Sequence, residues 1–144
     1  MTSETLERVA TWCKQTRLPF ELRADAVWLP NPAAPRYGVL IRDAGDATEW
    51  SMPFPIPARP ERIAETERAL AWLNQRPGPG AWELLPDRTV RYQLYMPIDQ
   101  LANNAALMAT LRAVLDAGNA HVHALVEVMA GREPAEYVQT AVGG

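Results

Sequence analysis

The sequence predicts an α+β fold, an antiparallel sheet of about five strands with helices packed on one face. Three observations lead there. Apolar periodicity switches between the 3.6-residue repeat of helices and the two-residue repeat of strands, in the order α-β-β-β-α-β-β-α. The strand-like pieces follow one another directly, so they return through hairpins rather than βαβ crossovers. The chain has 144 residues, 48% apolar and 22% charged, which suits one domain with its own core.

Residues 3–17 predict the first helix. Leu6, Val9, Ala10 and Cys13 share one face, Ser3 caps the start, Glu4 and Glu7 suit the positive end of the dipole, and Pro19 stops it. Residues 20–29 read as extended, with a turn at Ala24-Asp25. Residues 36–42 predict a strand with Tyr37, Val39 and Ile41 on one face. Asp43 to Asp46 turn the chain. Residues 47–55 return, with Trp50, Met52 and Phe54 in period two. Pro53 and Pro55 cannot donate to a ladder, so this strand ends at an edge.

Residues 60–76 predict the second helix, with Pro60 in the first turn and Ile63, Leu70 and Leu73 as its stripe. Pro77-Gly78-Pro79-Gly80 ends it. A second hairpin covers 81–97, where Val90, Tyr92, Leu94 and Met96 alternate with Arg91, Gln93 and Tyr95. A long closing helix runs from about Asn103 to Gly131. Its stripe keeps phase across Gly118, although glycine there costs about 1 kcal/mol against alanine. These elements form one domain over 1–131, and 132–144 reads as a mobile tail.

Composition excludes several classes. The net charge of −3 argues against a general nucleic-acid coat. No apolar run approaches the about 20 residues of a membrane span, and the N-terminus lacks a signal-peptide pattern, so a cytoplasmic protein is expected. The single Cys13 excludes an internal disulfide, and its place on an apolar helix face makes it an inert buried thiol. Thirteen of the 14 basic residues are arginine, and alanine is abundant, the bias of a GC-rich bacterial genome.

Catalytic patterns are missing. There is no GxxxxGK[ST], no GxGxxG after a strand, no GxSxG and no HExxH. His121 and His123 face apart on a helix. His123 and Glu127 could meet at i, i+4, but two ligands do not make a metal site, so no metal or other cofactor is expected. Asp43, Asp46 and Asp87 sit in turns, where Asp caps its own backbone. Trp50, Trp82, Tyr92 and Tyr95 with Arg88 and Arg91 would suit base stacking, but the acidic balance makes a half-buried sheet face the expected reading.

The strand Trp50 to Phe54, the helix end Ala71-Trp72-Leu73-Asn74, the strand Val90 to Pro97 and the long closing helix together resemble the YbjN family of bacterial proteins, which have the type III secretion chaperone-like fold. The resemblance covers roughly residues 3–130. It implies a small, usually dimeric protein that binds a client protein and carries no enzymatic residue set. The expected function is therefore a non-enzymatic, chaperone-like interaction module. The alternative is an accessory protein of nucleic-acid metabolism or DNA repair, acting through a partner or touching single strands.

A homodimer is expected on a second ground. The closing helix, about 42 Å long at about 1.5 Å per residue, outruns a five-stranded sheet of about 24 Å. Trp50, Met52, Phe54, Ile63, Leu70, Trp72, Val122, Val126 and Met129 are the expected partner or dimer surface. The competing expectation is that the segment 135–142 folds back as cover.

Overall fold

The computed structural model describes residues 3–141. In chain order the elements are α1 (Glu4–Gln15), β1 (Glu21–Leu22), β2 (Val27–Leu29), β3 (Val39–Asp43), β4 (Ala47–Pro53), α2 (Ile63–Asn74), β5 (Ala81–Leu84), β6 (Val90–Pro97), α3 (Asn104–Met129) and α4 (Glu136–Ala141). Short 3₁₀ turns at Pro35–Tyr37, Pro60–Arg62 and Ile98–Gln100 join them. The sheet is antiparallel throughout, in the order β1-β2-β3-β4-β6-β5.

The α+β class and the one-sided packing are as the sequence predicts, with four differences. The extended segment 20–29 is two strands, because Arg23 N–H donates to Ala26 C=O and closes a tight turn, giving six strands rather than about five. Tyr37 lies in a 3₁₀ turn rather than a strand, since Pro35 starts one there. Residues 60–62 are a 3₁₀ turn ahead of α2. The segment 132–141 is not a mobile tail: α4 packs against α2 and α3, and Ala135 and Val138 are buried in the common core. Residues 142–144 lie outside the described residues.

The core lies between the sheet and its helices. β2, β3, β4 and β6 send Val27, Ile41, Trp50, Met52, Leu94 and Met96 toward Leu6, Val9 and Trp12 of α1 and toward Leu107, Leu111, Val114 and Leu125 of α3. Trp12 meets Trp50 edge-on at 6.2 Å. α3 is one helix across Gly118, and a contact explains the glycine. A Cβ at 118 would come within 2.1 Å of the Met52 sulfur, so a side chain there would have to displace the buried end of Met52. The predicted Ser3 cap forms, its Oγ accepting from Leu6 N–H (3.1 Å), and Asn103, where the long helix is expected to start, caps it with Oδ1 accepting from Ala106 N–H (3.1 Å).

The tail is pinned from α2. Arg62 donates to the carbonyls of Val128 (3.0 Å) and Glu133, and Glu65 accepts from Ala135 N–H at 2.8 Å. That hydrogen bond, then the charges of Arg68 and Arg62, hold the Glu65 carboxyl below its ordinary pKa.

Candidate interaction edge and its groove

The two lateral edges of the β5–β6 hairpin differ. β5 is four residues long because Pro77-Gly78-Pro79-Gly80 precedes it and Pro86 follows it. β6 is eight residues long. β6 pairs with β4 along Arg91–Pro97, but with β5 only along Val90–Gln93. Beyond Gln93, no described strand lies on the outer side of β6.

The direction of the backbone groups follows from alternation, since the N–H and C=O of one strand residue point to the same side. Val90 C=O accepts from Phe54 N–H (2.8 Å), and Ile98 N–H donates to Asp46 C=O (3.0 Å), so even-numbered residues face β4. Odd-numbered residues face outward: Thr89 C=O accepts from Leu85 N–H at 2.8 Å. The N–H and C=O of Tyr95 therefore line an unpaired edge, and Pro97 C=O, as N-cap of the 3₁₀ turn Ile98–Gln100, ends it. Pro97 lacks an N–H where none is needed, and Pro53 likewise falls beyond the end of β3.

A groove of about 360 Å³ runs along this edge. One wall is Leu94 to Pro97. The other is the small-residue side of α3, Ala106, Ala109, Thr110 and Ala113, with Pro79 at one end. β6 is held firmly beneath it. Trp50 Nε1–H donates to Thr48 Oγ1 (2.7 Å), and Thr48 Oγ1 donates to Met96 C=O (3.3 Å), both inside the core. The Tyr95 ring lies on the uncovered sheet face, 55% exposed.

That uncovered face is a charge network. Arg91 reaches Glu83 and Glu49, each at 3.0 Å, and Arg42 approaches Glu49 at 4.0 Å. Tyr95 Oη–H donates to Glu49 at 3.3 Å, and the Glu49 charge pushes the phenol above its ordinary pKa. Trp82, which with Tyr95 would suit base stacking if exposed, is buried on the helix side. The carboxylates occupy Arg42 and Arg91, so the face is not a run of free cations.

The predicted partner surface is largely core. Trp50, Met52, Phe54, Leu70 and Met129 are buried, while Ile63, Trp72, Val122 and Val126 are half-buried. Period two and the helical stripe identified the inward face of each element correctly, and that face meets other elements of the same chain. His123 is exposed, and Glu127 pairs with Arg132 (2.8 Å) rather than with it. His121 packs edge-on to Trp82 at 5.9 Å. Among the described residues no group of three His, Cys, Asp or Glu side chains converges for a metal. Asp43 and Asp87 accept from Gly45 N–H (2.9 Å) and Thr89 N–H (3.0 Å), the turn roles expected of them. Burial pushes the Cys13 thiol up to about 11.

No family model matches the sequence, and no curated protein matches it. A solved structure does match in shape: YbjN of E. coli, for which a role as a transcription regulator has been suggested, at a TM-score of 0.56 and 16% identity, over 81% of this chain and 93% of that one. The chain has a YbjN-like fold. The resemblance seen in the sequence thus holds at the level of architecture. The YbjN-like Leu73-Asn74 pair also gains a physical reason. Leu73 is core, and Asn74 pairs both backbone groups of Trp82, accepting from its N–H (2.7 Å) and donating to its C=O (2.9 Å). No described helix is long and apolar enough to cross a membrane.

Proposed function

We propose that this chain is a non-enzymatic, chaperone-like interaction module of the cytoplasm that takes an extended segment of a partner protein as a further short strand at Tyr95. One observation carries the reading: an unpaired backbone edge that opens onto a groove walled by alanines. An edge of free N–H and C=O groups is satisfied by another extended backbone. The small side chains of α3 leave room for the partner's alternate side chains. The likeness to YbjN, for which a role as a transcription regulator has been suggested, supports a regulatory or binding role.

A photo-crosslinking residue placed at Ala109 tests it in the native host. The expected result is one protein linked through an extended segment with apolar residues at alternate positions, and loss of that product in Tyr95→Pro, which removes the outward N–H. A product pattern identical in the Tyr95→Pro protein overturns the reading. The alternative, direct contact with single-stranded nucleic acid, rests on exposed Tyr95 beside Arg42 and Arg91. It requires binding to a single-stranded oligonucleotide that weakens with salt. The carboxylates already paired with those arginines favour the protein partner.

A further inference from the structure

We propose that the pocket between the 76–80 loop and α3 binds a small zwitterion of the amino-acid class that carries an apolar side group. The pocket encloses about 330 Å³, the lower range of small-molecule sites. It is separate from the β6 groove, with only Pro79 and Ala113 as shared walls, and does not depend on the reading of that edge.

Its floor is aromatic. Trp82 lies edge-on to Tyr92 at 5.2 Å and to His121 at 5.9 Å. Gly80 brings backbone directly onto that floor: a Cβ there would lie 2.7 Å from the Tyr92 ring and 2.3 Å from Gln93 C=O, so no other residue fits.

Its polar groups carry opposite charges. Arg76, just past α2, lies over the Trp72 ring at 4.9 Å, and Asp116 lines the pocket from α3. Among the described residues neither has an ionic partner, and they do not pair with each other. His121 supplies a ring rather than a second charge. Burial first, and the Arg76 charge second, keep its pKa below the ordinary value. Arg76 is then the cation of the site and Asp116 its anion. A ligand carboxylate on Arg76, an ammonium on Asp116 and an apolar body on the rings account for every one of these features. A simple anion would leave Asp116 opposing it, and an uncharged ligand would leave both ions without a role.

Amide NMR on the full chain tests this, with L-phenylalanine as probe and 3-phenylpropionate and phenethylamine as its one-charge analogues. The expected result is saturable movement of the Gly78, Gly80 and Trp82 signals with L-phenylalanine, each analogue binding about tenfold more weakly. Arg76→Gln should bring L-phenylalanine down to the level of phenethylamine, and Asp116→Asn down to that of 3-phenylpropionate. Both residues are exposed, so both variants should keep the wild-type spectrum elsewhere. No saturable movement up to about 20 mM, a weakness below useful discrimination, overturns the proposal. So does 3-phenylpropionate binding as tightly as L-phenylalanine, or unchanged affinity in either variant.

Discussion

The outer side of β5 and the outer side of β6 are continuous edges of one sheet, yet the protein treats them in opposite ways. At β5 the Asn74 side chain stands in for a missing strand and pairs both backbone groups of Trp82. A helix end thereby closes an edge that would otherwise template association. At β6 beyond Gln93 nothing equivalent is present among the described residues, and a groove lies alongside instead. A molecule that shields one edge with a side-chain amide, and leaves its neighbour open, separates a structural edge from a binding one.

Breaking the shielded edge should have the largest effect. Asn74→Leu leaves the Trp82 N–H and C=O without partners and should cost about 2–3 kcal/mol, read by urea denaturation. It should also promote concentration-dependent association through β5, visible by light scattering. A stable, monomeric Asn74→Leu protein would show that Asn74 does not guard the edge.

Next comes the helix that walls the groove. Gly118→Ala gains about 1 kcal/mol of helix propensity but drives a methyl into Met52, at a cost of about 1–3 kcal/mol. A net loss of about 1 kcal/mol in thermal unfolding is expected, with altered affinity at the β6 groove as α3 moves off β4. Stabilisation by this substitution would mean that Met52 swings aside freely.

Tyr95→Pro should have a smaller effect on stability, under about 1 kcal/mol, because the lost N–H belongs to no ladder bond. Its effect on partner binding should be large. The contrast between Asn74→Leu, which damages stability, and Tyr95→Pro, which damages binding, is the sharpest test of the two-edge reading. Equal destabilisation by both would erase the distinction.

The smallest expected effect is on pH. Glu65 has a lowered pKa in the folded chain, chiefly through Ala135 N–H, so its contribution exists above the unfolded-state value of about 4.5. It is lost as pH falls through the lower folded value. Below that range, residues 132–141 should exchange amide hydrogens faster while the sheet stays protected. Glu65→Gln should show the faster exchange already at neutral pH. Identical exchange of 132–141 in both proteins would show that Glu65 does not pin α4.

Much of the candidate site was written in the sequence. The prolines at 77, 79 and 86 limit β5 to a few residues, while the alternation from Val90 to Met96 demands a longer partner strand. That mismatch of hairpin arms is the signal of an open edge. Apolar periodicity marks buried faces rather than open backbone, so it does not point to this edge. Trp50, Met52 and Phe54 were correctly placed on one face of their strand, but periodicity does not say what that face meets.

The sequence by itself determined the local states. Caps at Ser3 and Asn103, breaks at Pro19 and Pro77, period-two runs in β4 and β6 and an inert Cys13 all follow from the residues and their neighbours in the chain. Tertiary structure decided the rest, because each remaining feature joins residues far apart in sequence. Arg62 and Glu65 recruit 128–135 and turn an apparent tail into α4. Met52 packs its side-chain end against the glycine at 118. Asn74 meets the Trp82 backbone only after α2 has docked beside β5. Local propensity costs little to read because it depends on a few successive residues. Which polar groups find partners, and which are left open for another molecule, depends on the packing of the whole chain.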